Sequence, residues 1–230
     1  MLDVGGHVGE TLAEVLDRRW GFDRIYVFEP ATACREALER LADERVHVVT
    51  AGWWDADVEM DLHDPGLIGA SVAAEKALTG AVERCSFIDA AAWMRTNIEP
   101  GDEVWLKLNC EGAECVVLDH LAEEGVLPCV DHLLVHFDVE KVPSLAAHAD
   151  RTRRRLDAAG LDWIEAGDIF FGRSHARKTA NWLAWTRAAR VGKLRYSHLA
   201  RWEFRARQVL YPVKQRLLSF RKASASRTPS

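Results

Sequence analysis

Residues 1–30 read MLDVGGHVGETLAEVLDRRWGFDRIYVFEP and contain the pattern that decides the fold. Residues 2–4, two apolar side chains on either side of an acid, predict a short strand that leads into a glycine turn, and a periodic run at residues 11–16 predicts a helix. A second apolar run at residues 24–28 ends on an acid and a proline. Strand, glycine turn, helix, strand and acid form the βαβ half-unit that holds an adenosine-containing cofactor at the carboxyl ends of parallel strands.

The glycine spacing and two acids indicate which cofactor this half-unit would hold. A dinucleotide fold places a pyrophosphate against a turn with the spacing G-x-G-x-x-G. Here Asp3 precedes the first glycine by two positions, and a carboxylate there would repel a pyrophosphate but attract the cationic amino group of S-adenosylmethionine. Glu29 follows the second strand, where an acid can accept both ribose hydroxyls. The alternative is a glycine turn with an incidental acid at each position. The predicted cofactor-binding residues of this half-unit are Asp3, Gly5, Gly6, Gly9 and Glu29.

A second stretch, KLNCEGAE at residues 107–114, follows an apolar strand and opens a helix. Together with DVGGHVG at residues 3–9 and FEP at residues 28–30, it resembles the motifs of the FkbM family of S-adenosylmethionine-dependent O-methyltransferases. The family's third motif usually reads KIDVEGAE, and six of its eight positions match in kind. The resemblance covers about residues 2–186 and implies methyl transfer to a hydroxyl of a small metabolite or glycan.

The resemblance also suggests roles for three further residues. Ala51 falls where the family's adenine pocket would be, which makes it a candidate cofactor contact. Lys107 can orient an anionic or hydroxyl acceptor, although a lysine that merely extends from its strand towards solvent is an equal alternative. Glu111 is a candidate base or substrate ligand.

The chain departs from the family at two positions. Asn109 replaces the usual Asp, and an amide cannot act as a base, although it can hydrogen-bond the cofactor or the acceptor. His136 occupies a position where an acid is common, and an imidazole can accept a proton at neutral pH. We therefore hypothesise that His136, with Asp138 nearby, deprotonates the acceptor hydroxyl. The alternative is a diverged, weak or inactive relative that binds the cofactor as a binding or structural module. A metal site is not predicted, because Asn109, Glu111 and His136 are too loosely spaced.

The rest of the chain predicts an α/β fold with a doubly wound, mostly parallel seven-stranded sheet. Its edge strand, at residues 181–185, is expected to be antiparallel. Residues 57–63 and 84–88 alternate apolar and polar side chains and predict an accessory antiparallel pair. Between them, residues 65–71 form a glycine-bearing loop that can reach over the substrate side.

The composition is ordinary for a soluble globular protein. Of 230 residues, 48% are hydrophobic and 28% are charged, which supports one sizeable domain without disulfides or metals. The five cysteines are odd in number and lack metal-ligand spacing, so we expect reduced thiols in a cytoplasmic protein. No apolar run has the length of a membrane span, and no signal peptide is recognisable.

Charge divides the chain near residue 187. Residues 187–230 carry twelve Lys and Arg against one acid, so this part is +11 while residues 1–186 are −16. We therefore predict a cofactor-binding domain over 1–186, a basic amphipathic helical extension over 187–222 and a disordered tail over 223–230. The extension can pack on its own acidic domain or in a homodimer, or lie on the inner membrane face through residues 194–222, where the acceptor would be a lipid-linked glycan. Nucleic acid is not an expected partner.

Overall fold

The computed structural model describes residues 1–141, 145–169 and 174–192. Strands and helices alternate along most of this range, as the sequence predicts for a doubly wound domain. The strands are β1 Leu2–Val4, β2 Ile25–Phe28, β3 Val46–Val49, β4 Gly52–Trp54, β5 Val58–His63, β6 Val82–Asp89, β7 Trp105–Leu108, β8 His132–Val135 and β9 Asp162–Glu165. The helices are α1 Glu10–Val15, α2 Thr32–Leu41, α3 Ala90–Asn97, α4 Glu114–Glu123, α5 Ala146–Ala158 and α6 His175–Gly192.

The main sheet has six parallel strands in the order β3-β2-β1-β7-β8-β9. The chain builds outward from β1 to β3 on one side, and then crosses back so that β7 lies on the other side of β1. The strand order therefore reverses between β1 and β7. In open α/β sheets, ligands bind outside the carboxyl ends of the strands at such a switch point.

Both faces of the main sheet are covered by helices. Alternate side chains of one strand point to opposite faces, so Leu2 and Val4 join a core with α3, α4 and α5. Ile25 and Val27 join the other core, where Leu12 of α1 and Trp182 of α6 pack. The strands are consequently apolar on both sides, as expected for a parallel sheet between two helical layers.

The predicted seventh, antiparallel edge strand is wrong. Residues 181–185 lie within α6, and β9 pairs with β8 in parallel. Within α6, Thr179, Trp182, Leu183 and Thr186 are buried, a spacing of three and four residues that follows one helical face. That face packs against α1, and the Trp182 ring contacts Trp105 edge-on at a centroid distance of 5.3 Å. The short apolar run was therefore part of a helical pattern.

The predicted accessory pair is confirmed. Strands β5 and β6 are antiparallel, with Val58 opposite Phe87 and His63 opposite Val82. A third strand, β4, pairs with β6 in parallel and completes a separate three-stranded sheet. We call the segment 64–81 between β5 and β6 the cover loop, because it lies over the carboxyl ends of β1 and β7, as the contacts below show.

The predicted boundary at residue 187 falls inside α6, which runs to Gly192. At this point Arg187 donates a hydrogen bond of 3.0 Å to the carbonyl of Arg19, and its guanidinium lies over the Trp20 ring. Most of the basic extension and the whole predicted tail lie outside the described residues. Within the described part of the chain, no helix has the length and apolarity needed to cross a membrane.

Candidate functional site

A cleft opens at the switch point, at the carboxyl ends of β1, β2 and β7. It encloses about 590 Å³ of space, part of which is open to solvent. The glycine turn forms one wall, the loop after β7 forms the floor, and the cover loop forms the roof. The lining residues are Gly5, Gly6, His7, Glu10, Thr11, Glu29, Gly66, Leu67, Ile68, Gly69, Ala70, Lys107, Asn109, Glu111 and His175.

Glycine at position 5 is required by the close approach of two loops. Gly5 has a φ of +79°, and a Cβ atom there would lie 1.8 Å from the carbonyl oxygen of Asn109. The Gly5 amide also donates to the carbonyl of Phe28 at 2.9 Å. The turn after β1 is thus pressed between the ends of β2 and β7, and only a glycine fits there.

Glu29, at the end of β2, faces the cleft and fixes the glycine turn. One carboxylate oxygen accepts the His7 amide at 2.8 Å, and the other accepts the Ala31 amide at 3.0 Å. Burial raises the pKa of Glu29, while these two hydrogen bonds oppose the shift. Each oxygen still has a second lone pair, so Glu29 can accept hydrogen bonds from a ligand without giving up the turn.

Asp3 is placed differently from the prediction. It is fully buried below the cleft, where its Oδ1 lies 2.9 Å from the Nζ of Lys107, its direct neighbour across the strand pair. Lys107 also donates to the Gly5 carbonyl at 2.7 Å. Burial raises the pKa of Asp3, and the lysine charge opposes that shift. The carboxylate expected to hold a cofactor amino group is therefore paired within the protein.

Asn109 follows β7 and lines the cleft next to Gly5. Its backbone amide donates a hydrogen bond of 3.0 Å to the Val4 carbonyl, which sets the position of the residue. Its side-chain Oδ1 is buried and accepts no hydrogen bond among the described residues. A buried acceptor without a partner is rare and costly, so this oxygen is poised for a donor from a ligand.

Glu111 is held by the cover loop. Its φ is +49°, an unusual conformation for a residue with a side chain. The Ser71 hydroxyl donates to its carbonyl at 2.6 Å, and the Lys76 ammonium lies 2.5 Å from its Oε2. Burial, together with a hydrogen bond to the Asp138 carboxyl, raises the pKa of Glu111, whereas Lys76 lowers it.

His136 does not line the cleft. Its ring stacks at a centroid distance of 5.1 Å on His175, the first residue of α6, which does. Burial, with the positive charges of Lys107, His175 and Lys178, lowers the pKa of His136 to about 3. The imidazole is therefore neutral at physiological pH and a weak base, which does not fit the predicted role in deprotonation.

Glu114 has a structural role at the start of α4. Its buried carboxylate accepts amide hydrogen bonds from Cys110, Gly112 and Val139. Burial raises its pKa to about 7. These bonds tie the loop after β7 to the segment after β8, so Glu114 shapes the floor of the cleft from below.

The structure brings six of the predicted site residues into one cleft and leaves five outside it. Asp138 lies beside Glu111 and Asp3 beneath Lys107, while Gly9 and Ala51 are not part of the lining. The six that line the cleft are Gly5, Gly6, Glu29, Lys107, Asn109 and Glu111.

Sequence reasoning missed His7, His175 and Lys76. His7 lies inside the glycine turn quoted from the sequence, so the sequence could have identified it as a site residue. In the structure its Nε2 lies 3.1 Å from the Gly66 carbonyl of the cover loop. Lys76 is 35 residues from its partner in a loop without a motif, and nothing in the sequence pointed to it. The prediction that residues 65–71 reach over the site agrees with the lining formed by Gly66, Leu67, Ile68, Gly69 and Ala70.

No protein family and no curated protein sequence matches the chain. Among solved structures, it is similar to the crystal structure of methyltransferase FkbM from Methylobacillus flagellatus KT, with a TM-score of 0.43 and 17% identity. The aligned part covers 68% of this chain and 36% of the other, so this chain spans about a third of that protein. A TM-score below 0.5 does not establish a common fold, and the function is therefore inferred from the cleft itself.

Proposed function

We propose that the protein is an S-adenosylmethionine-dependent methyltransferase that acts on a hydroxyl group of a small metabolite or glycan. The observation that carries this proposal is the switch-point cleft with Glu29 facing into it beside a glycine turn. An acid at the end of the second strand is well placed to accept the hydroxyls of a ribose.

The residues present fit such a cofactor at a second point. Asn109 Oδ1 is a buried acceptor without a hydrogen-bond partner among the residues that the structure describes, and the cationic amino group of the methionine moiety is a donor that would satisfy it. Both carboxylate oxygens of Asp3 also lack a hydrogen bond of good geometry among the described residues, but Asp3 carries the counter-charge of Lys107 and does not line the cleft. We therefore assign recognition of this amino group to Asn109, which lines the cleft, in place of Asp3. The cofactor supplies a methyl group that is already activated by its positively charged sulfur. The protein has to align an acceptor oxygen with that methyl group and take up the hydroxyl proton.

Titration calorimetry with S-adenosylhomocysteine tests the cofactor assignment. Asn109→Ala removes the unpartnered oxygen, so we expect binding to weaken by about tenfold while the thermal midpoint stays the same or rises. Glu29→Gln loses a charge-assisted acceptor, and we expect weakening by about 10- to 100-fold. A matched control is Glu36→Gln, which changes an exposed carboxylate of α2 that pairs with Arg40 on the surface.

The calorimetry also separates the other functional classes. Binding of NAD without binding of S-adenosylhomocysteine would reject the proposal. Tight binding of S-adenosylhomocysteine, with no labelled methyl transferred to any compound in a cell extract, would instead indicate the diverged binding module. Equal affinities of the wild type and Glu29→Gln would remove the observation on which the proposal depends.

A further inference from the structure

We propose that Lys76 of the cover loop is a positioning residue that keeps Glu111 ionised and oriented as the proton acceptor of the reaction. This inference rests on the proposed function, because it concerns the acceptor side of the same cleft. It assigns the deprotonation to a side chain that lines the cleft, in place of His136, which does not.

The geometry around Glu111 supports the assignment. Lys76 contacts both halves of this residue, because its Nζ lies 2.5 Å from the carboxylate and 3.2 Å from the carbonyl. Ser71 donates to the same carbonyl at 2.6 Å. Two side chains of the cover loop thus hold a residue whose backbone is in the left-handed region. The carboxylate and the ammonium are largely buried, with 15% and 11% of their side chains exposed, so water screens their attraction only weakly.

The charged groups that surround Glu111 have opposing effects. Asp138, after β8, and Glu114, at the start of α4, are acidic and disfavour its ionised form, as does burial. Lys76 supplies the positive charge that compensates for them in the described part of the chain. Without this lysine, Glu111 would share a proton with Asp138 and could not accept another at neutral pH.

The acceptor hydroxyl passes its proton to the Glu111 carboxylate, and the oxygen lone pair forms the new carbon–oxygen bond to the methyl group. The electron pair of the broken carbon–sulfur bond stays on sulfur, which leaves as a neutral thioether. Protonated Glu111 then returns the proton to solvent, either directly or through Asp138.

The test compares Lys76→Met with Lys76→Arg, which keeps the charge. The control is Arg84→Met, because Arg84 forms an exposed ion pair with Asp61 in the same accessory sheet and does not contact the cleft. Carbon-13 NMR of glutamate carboxyls, with the Glu111 resonance assigned from Glu111→Gln, follows the titration directly. We expect the Glu111 midpoint to rise by about one to two pH units in Lys76→Met and to remain near the wild-type value in Lys76→Arg and Arg84→Met.

Methyl transfer from labelled S-adenosylmethionine to compounds of a cell extract provides the second measurement. The acidic limb of the rate profile should move to higher pH in Lys76→Met by the same amount as the NMR midpoint, with S-adenosylhomocysteine affinity unchanged. A midpoint that does not move, or that moves equally in Arg84→Met, would overturn the proposal. If the wild type does not bind S-adenosylhomocysteine, the proposed function is refuted instead. The NMR titration would still test whether Lys76 keeps Glu111 ionised.

Discussion

The two sides of the cleft differ in how their carboxylates are held. On the β1–β2 side, Glu29 is fixed by two backbone amides and Asp3 by a buried ammonium. On the β7–β8 side, Glu111 lies beside Asp138 and is paired with Lys76 of the cover loop. The first side suits a constant binding surface, since its charges are compensated within the main sheet. The second suits proton transfer, since a small change in its surroundings shifts which carboxyl carries the proton.

The largest expected effect concerns the glycine turn that belongs to the first side. In Gly5→Ala the new Cβ would collide with the Asn109 carbonyl at 1.8 Å, so we expect a loss of at least about 4 kcal/mol in the free energy of unfolding, or no folded protein. Gly21→Ala is the matched control, because Gly21 has a φ of +61° but no atom within 4 Å of the added Cβ. It should cost only about 1 kcal/mol. Urea unfolding measures both, and similar losses would mean that the two loops are not in close contact.

A smaller effect is expected from breaking the buried ion pair. Lys107→Met leaves Asp3 fully buried without its counter-charge, which should lower the free energy of unfolding by about 3 kcal/mol. Adding Asp3→Asn removes the stranded charge, so the double variant should regain a large part of that loss. Lys76→Met should cost clearly less, since Glu111 can share a proton with Asp138 once the lysine charge is removed. Denaturant unfolding measures both variants. Equal losses in the free energy of unfolding for Lys107→Met and Lys76→Met would show that the two sides of the cleft do not differ in how strongly their carboxylates depend on a lysine.

The smallest effect is in the pH dependence of stability. Because the pKa of His136 falls from 6.5 to about 3 on folding, its contribution is complete above pH 6.5 and is lost as the pH falls towards 3. One such group gives a slope of at most about 1.4 kcal/mol per pH unit. Relative to their own values at pH 7, we expect wild type to lose about 2 kcal/mol more than His136→Gln at pH 4.5. An equal loss of stability in the wild type and in His136→Gln would show that His136 is not buried as described.

Much of the fold can be predicted from the sequence. The strands of the main sheet are buried between helices, so they appear as apolar runs, and the helices that cover them appear as runs with helical periodicity. The exception, α6, shows the limit of short windows. Taken alone, residues 181–185 favour a strand. The helix is indicated only by the spacing of three and four residues between the buried side chains from Thr179 to Thr186. The pairing of Asp3 with Lys107 was also accessible, since each is the one charged residue within a buried strand and a buried charge requires a partner.

The rest of the candidate site depends on tertiary contacts that leave no trace in local sequence. The neutral state of His136 results from burial and from charges on two other elements, β7 and α6, and no residue near it in sequence indicates this. The role of Lys76 depends on how the accessory sheet folds back over β7, which joins residues 35 positions apart. Sequence patterns predict which strands form, but they do not predict which loop will lie over their ends.

The cover loop contacts both sides of the cleft, through Gly66 to His7 and through Ser71 and Lys76 to Glu111. These contacts hold the loop over part of the cleft, so their release would widen the path along which a ligand exchanges. Variants that loosen residues 64–81 would then shorten the dwell time of a bound ligand even where equilibrium affinity is preserved.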